Sequence, residues 1–123
     1  MIFGEFTAFG QARIAAAIGS ADGEKVEVSA VIDTGFMGAL MLPRSLAAQL
    51  ALPQIEQEIL VMADGSFVRF AVHEAVISWQ EEERTVAAHV SDGDALIGVE
   101  LLRGSIGTIE FLDGGTVTLE AAE

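Results

Sequence analysis

Cysteine is absent from the 123-residue sequence, which excludes a disulfide framework, a thiolate zinc site and a cysteine nucleophile. Proline occurs only twice, and no Pro/Ser-rich linker or low-complexity tract divides the chain. One domain over residues 1–123 is therefore expected. Long apolar runs are also missing. Although 51% of residues are hydrophobic, no uninterrupted stretch approaches the ~18–20 residues that span a bilayer. Near the N-terminus, Glu5 and Arg13 interrupt the apolar residues and no basic segment precedes them. No secretory signal is read there, and the cytoplasm is the expected location. Basic residues are scarce, with 6 Lys and Arg against 19 Asp and Glu and a net charge of −13. That balance argues against nucleic acid and against an anionic membrane surface as partners, since both demand basic side chains. Its simplest consequence is solubility for a chain of hydrophobic average composition. A preference for basic peptides is the sharper alternative.

What the chain does have is short apolar segments punctuated by Asp-Gly. Gly4 to Ile18 and Glu24 to Ile32 read as strands joined through Ser20-Ala21-Asp22-Gly23, a hairpin signal. Alternation is clean from Lys25 to Val31, which sets Val26, Val28, Ala30 and Ile32 on one face. Ala39 to Leu42 is a short strand, and Pro43 suits the first turn of a helix over Arg44 to Leu50. Glu58 to Met62 and Ser66 to Val72 flank a second hairpin signal at Ala63-Asp64-Gly65, and the strand continues through Ala75 to Trp79. Gln80 to Glu83 is a charged turn. Strands follow at Thr85–Val90 and Asp94–Ile97, then a short helix at Val99–Arg103. Ser105–Phe111 and Thr116–Glu120 close the chain around Asp113-Gly114-Gly115. Many short strands with one or two short helices predict a mainly β fold, a closed β-barrel.

The most informative stretch is Val31-Ile32-Asp33-Thr34-Gly35. Two β-branched apolar residues run into a carboxylate in a turn, as a buried strand does at its end. An ionised Asp is costly to bury unless something pairs with it. The triplet alone arises by chance in about one or two chains in a hundred of this length, so its context decides. Downstream lies Ala95-Leu96-Ile97-Gly98, followed by Val99-Glu100-Leu101-Leu102. Gly98 brings no Cβ, so a strand ending there can approach other backbone closely.

In these two signatures and their order the chain resembles the retropepsin-like aspartic proteases. The run from Asp33 to Pro43 resembles small, single-domain prokaryotic members more than the viral enzymes, and the resemblance covers roughly Lys25 to Leu119. It implies the acid-protease fold and an aspartic endopeptidase, a hydrolase that needs no cofactor. It also implies a peptide or protein substrate. Peptide hydrolysis of this kind uses two carboxylates at hydrogen-bond distance, which cannot both ionise. One takes a proton from a bridging water while the other hydrogen-bonds the scissile carbonyl. The chain contains a single Asp-Thr-Gly and no Asp-Ser-Gly, so the chemistry requires a two-fold symmetric homodimer.

Asp33 carries the catalytic role by this resemblance. Thr34 resembles the threonine whose hydroxyl bonds across the dimer, Gly35 supplies a backbone N–H near the carboxylates, and Gly98 supports the turn. Phe36 stands where the viral enzymes have a small residue. Met62, Ala63, Asp64 and Gly65 occupy the position of the substrate-covering flap, with Phe67 beside the tip. The residues alone also allow an ordinary Asx turn at Asp33 and a plain surface hairpin at residues 62–65. His73 and His89 lack metal-ligand spacing and are read as surface or hydrogen-bonded residues; no metal is expected. Trp79 is read as core or interface bulk, and Glu100 as a helix-start carboxylate with no catalytic part. Two other functions compete with the endopeptidase. One is a catalytically inactive module of the same fold used for dimerisation or peptide binding. The other is an unrelated β-barrel.

Overall fold

Strand-period alternation dictates most of what forms. In Val26–Ile32 the even positions Val28 and Ala30 are buried while Glu27 and Ser29 face out, so one face of the strand belongs to a core. The computed structural model describes residues 1–123. The elements in chain order are β1 (Ile2–Phe6), β2 (Ala12–Gly19), β3 (Val26–Ile32), β4 (Leu40–Pro43), α1 (Arg44–Gln49) and β5 (Gln54–Val61). They continue as β6 (Phe67–Trp79), β7 (Glu82–Ser91), β8 (Leu96–Ile97), α2 (Val99–Leu102), β9 (Ser105–Ile109) and β10 (Gly115–Ala121). The mainly β architecture expected from the sequence is what forms.

Six strands in the order β6-β7-β4-β8-β3-β2 close into a barrel, because β2 pairs back onto β6 at Ile18–Ile77 and Gly19–Val76. Strand β5 extends the sheet beyond β6, and β1, β10 and β9 extend it beyond β2. The barrel is filled by Ile14, Ile18, Leu40, Leu42, Ile77, Ile97 and Leu101, all fully buried. Each contributes about 1.5–3 kcal/mol of transfer free energy. Trp79 joins this core. Helix α1 starts after Pro43, whose fixed φ of −59° suits a helix entry, and it buries Ala47. No helix is long and apolar enough to cross a membrane.

Two boundaries differ most from the sequence reading. The segment from Gly4 to Ile18 is two strands, split by a turn in which the Thr7 carbonyl accepts the Gly10 N–H and Gly10 has a φ of +82°. Phe9 and Gly10 continue the apolar and small-residue pattern, so periodicity alone hides the break. Strand β5 begins at Gln54 and not at Glu58, because Gln54–Val61 pairs with His73–Phe67 across an irregularity at Gln54/Glu56. Strand β6 runs unbroken for 13 residues, continuing to Trp79 as the sequence suggests, and serves both the hairpin and the barrel.

One crossing organises the rest. Strand β8 lies between β3 and β4, parallel to β3 (Ile32–Ile97) and antiparallel to β4 (Leu40–Ile97). Directly after it, a Cβ on Gly98 would meet the Gly38 carbonyl oxygen at 2.1 Å and Phe36 Cδ2 at 2.6 Å. Backbone cannot yield there cheaply. Gly98→Ala is therefore expected to destabilise the protein by about 3 kcal/mol or more, read as a fall in the urea midpoint. An unchanged midpoint would show that the crossing is looser than described.

Candidate active site

The Asp33 turn is fastened to the crossing by backbone hydrogen bonds. The Asp33 N–H donates to the Ile97 carbonyl (2.9 Å), and the Phe36 N–H donates to the Asp33 carbonyl (3.2 Å). From the other side, Gly98 N–H donates to Ala39 (2.9 Å), Val99 N–H to Phe36 (2.8 Å) and Glu100 N–H to Gly38 (3.2 Å). The Asp33 Oδ1 accepts the Gly35 N–H at 2.8 Å. Taken alone that contact is an Asx turn. Its setting is what differs: the half-buried carboxylate lies at the wall of a cleft of about 690 Å³.

Alternation builds the cleft as it builds the barrel. Along β4, Leu40 and Leu42 face the barrel core while Met41 faces the cleft, and along β8 Ile97 and Leu96 divide in the same way. On β7, Ala88 and Val90 belong to the core and His89 to the cleft. Phe36, Met41 and Phe70 form a small apolar cluster there, with Leu60 and Leu96 packed against it. The β5–β6 hairpin covers this wall with Glu58, Leu60, Val61, Met62 and Ala63.

The residues singled out from the sequence separate into two groups. Asp33, Gly35, Met62 and Ala63 line the cleft, as do Phe36 and Glu100. Thr34 is exposed at the same turn, Asp64 and Gly65 are exposed at the hairpin tip, and Gly98 is buried behind the turn. Phe67 is 74% exposed and lies outside the cleft. His73 does have a partner, with Nδ1 2.8 Å from the Leu52 carbonyl oxygen.

His89 departs from its sequence reading as a surface or satisfied residue. It is only 3% exposed and lines the cleft, and neither ring nitrogen makes a hydrogen bond. Its Nε2 lies 3.4 Å from a Glu58 carboxylate oxygen. The alternation of Ala88 and Val90 around it carried the signal that His89 faces away from the barrel. Only the long-range pairing of β7 with β4 and β6 shows that this face is covered. No cluster of three or more His, Cys, Asp or Glu side chains is arranged to hold a metal ion.

No protein-family model matches the chain, and no curated protein matches it in sequence. Solved structures do match in fold. EIAV protease complexed with the inhibitor HBY-793 aligns with a TM-score of 0.57 at 15% identity, covering 76% of this chain and 86% of that one. A retropepsin-like aspartic protease from Rickettsia conorii aligns with a TM-score of 0.57 at 20% identity, covering 98% of this chain and 90% of that one. The chain therefore has the retropepsin-like fold, the class expected from its two signatures.

The hairpin tip has its own electrostatics. The Ser66 hydroxyl, and after it the Ser66 N–H, holds the Asp64 carboxyl below its ordinary value of 3.8. The N–H donates to Oδ1 at 2.8 Å. A depressed folded-state value means that the contact is complete above 3.8 and is lost as pH falls through the lower folded value. The Ser66 amide resonance is expected to titrate with a midpoint below 3.8 and to stay flat near neutrality. A midpoint at or above that value would remove this carboxylate from the turn.

Proposed function

We propose that the chain is an aspartic endopeptidase that works as a symmetric homodimer, each subunit contributing one Asp33 to a shared site. The observation that carries this reading is the Asp33 carboxylate. It stands at the end of a barrel strand and beside a peptide-sized cleft, in a chain of retropepsin-like fold. One copy has one such carboxylate, and the exposed Thr34, Gly35 and Met37 beside it leave that edge free to meet a second copy. The whole of residues 1–123 serves as one lobe in this account.

In the dimer the two Asp33 carboxyls hold a water between them and share one proton, because like charges so close do not both ionise. The ionised partner removes a proton from the water as its oxygen attacks the scissile carbonyl carbon. The protonated partner donates a hydrogen bond to the carbonyl oxygen as charge develops there. Collapse of the tetrahedral species breaks the C–N bond and returns a proton to the leaving nitrogen. Gly35 holds the carboxylate through its N–H, and Gly98 lets the supporting backbone pass close behind. Met62, Ala63, Asp64 and Gly65 form the tip of a flap that closes over bound peptide. An inactive binding module has no use for a carboxylate pair whose mutual repulsion opposes association, which favours the peptidase over that alternative.

Asp33→Asn is expected to lower peptide hydrolysis by about 10³-fold or more, with the circular dichroism spectrum and the oligomeric state unchanged. Sedimentation equilibrium at micromolar concentration is expected to show a dimer. With a net charge of −13 per chain, association should strengthen as salt is added. Equal hydrolysis by wild type and D33N, or an active monomer, would overturn the shared site.

A further inference from the structure

His89 is an anomaly in the cleft wall. The residue is only 3% exposed, and its ring meets Phe36 edge-on at 5.5 Å between centroids and Phe70 at 6.0 Å. Met41 is its neighbour on β4. Burying an imidazole without hydrogen-bond partners is unfavourable, and this one borders the cleft with both nitrogens unbonded. Whichever nitrogen carries the proton in the neutral ring, the other is an acceptor that lacks a donor.

The charges around it all have one sign. Asp33, Glu58 and Glu100 line the cleft, and no Lys or Arg does. Three of the six basic residues are held elsewhere, in the pairs Arg13–Asp94, Lys25–Glu83 and Arg44–Asp92. Glu58 reaches from β5 to within 3.4 Å of His89 Nε2 and remains half-exposed. A carboxylate and a donor-less imidazole therefore sit together against two aromatic rings.

We propose that Glu58 and His89 form the polar end of a specificity subsite that selects an arginine side chain of the peptide substrate. The proposal rests on the peptidase reading and adds the class of residue the cleft prefers. A guanidinium offers several donors in one plane. It donates to the Glu58 carboxylate and, once that half-exposed side chain swings toward it, to the buried imidazole nitrogen 3.4 Å behind, while its flat face and methylene stem lie against Phe36 and Phe70. Lysine supplies the charge without the planar fork. An acidic side chain meets three carboxylates and is excluded.

The test uses the full chain and reduced-amide peptides that bind without being cleaved. A single position, scanned on either side of the amide replacement, carries Arg, Lys, norleucine or Glu. Wild type is expected to bind the Arg peptide about tenfold or more tighter than its norleucine counterpart at one position, the effect of a charge-assisted hydrogen bond. Glu58→Gln should bring that ratio close to one, and Glu58→Lys should favour Glu. His89→Met removes the acceptor within similar apolar space and should lower Arg to the level of Lys. If that variant does not fold by circular dichroism, the two Glu58 variants decide.

A wild-type ratio near one, or a ratio unaffected by Glu58→Gln, would overturn the subsite. Lys bound as tightly as Arg would overturn the guanidinium geometry. Hydrolysis of matching cleavable peptides separates the two readings. Arg-selective binding without Asp33-dependent hydrolysis removes the peptidase and keeps the subsite. Asp33-dependent hydrolysis without a basic preference does the reverse.

Discussion

The absence of one side chain at Gly98 sets the geometry on which the rest depends. With no Cβ there, β8 and the start of α2 pass against the Gly38 carbonyl and the Phe36 ring closely enough to hydrogen-bond the loop at Asp33, Phe36, Gly38 and Ala39. Those bonds hold the Asp33 turn rigid at a strand end, where an isolated turn would sample many conformations at considerable entropic cost. A carboxylate on a pinned turn keeps one position, and a site that must meet its symmetric copy needs that positional certainty. The same crossing places Leu96 and Met41 on one face and Ile97 and Leu40 on the other. Barrel core and cleft wall are thus two sides of the same strands.

Much of this was legible in the sequence because it depends on local rules. The alternation of β3, the Asp-Gly hairpin tips and the run from Ile32 through Gly35 each point to their structure within a few residues. Gly98 was legible as a close approach through the resemblance of Ala95-Leu96-Ile97-Gly98 to the second signature of the retropepsin-like proteases. The break after Phe6 was not, since the turn from Thr7 to Gly10 lies inside a pattern of apolar and small residues. Nor was the left-handed backbone at Gln80 and Glu81, with φ of 51° and 69°. A tight turn of that kind ordinarily announces itself with Asn or Gly, and here the long pairing of β6 with β7 imposes it.

The cleft was the least legible feature. Its wall gathers side chains from five strands, and only the order of those strands in space brings Glu58, Phe70, His89, Met41 and Leu96 to one face. Sequence spacing says that His89 points away from Ala88 and Val90. It does not say what covers the other side. The charge imbalance was plain from composition, but the lack of any basic residue among the carboxylates lining the cleft became visible only in the fold. Solubility and selectivity are consequently compatible readings of the same acidic excess.

Everything proposed for the chemistry depends on two Asp33 side chains meeting across a symmetry axis. A crystal structure of the protein as it assembles in solution measures that separation directly. The account predicts a two-fold axis passing between the two turns, with the carboxylate oxygens at hydrogen-bond distance, about 2.5–3.0 Å. A monomer, or a dimer that leaves the two carboxylates too far apart to share one water, would contradict it.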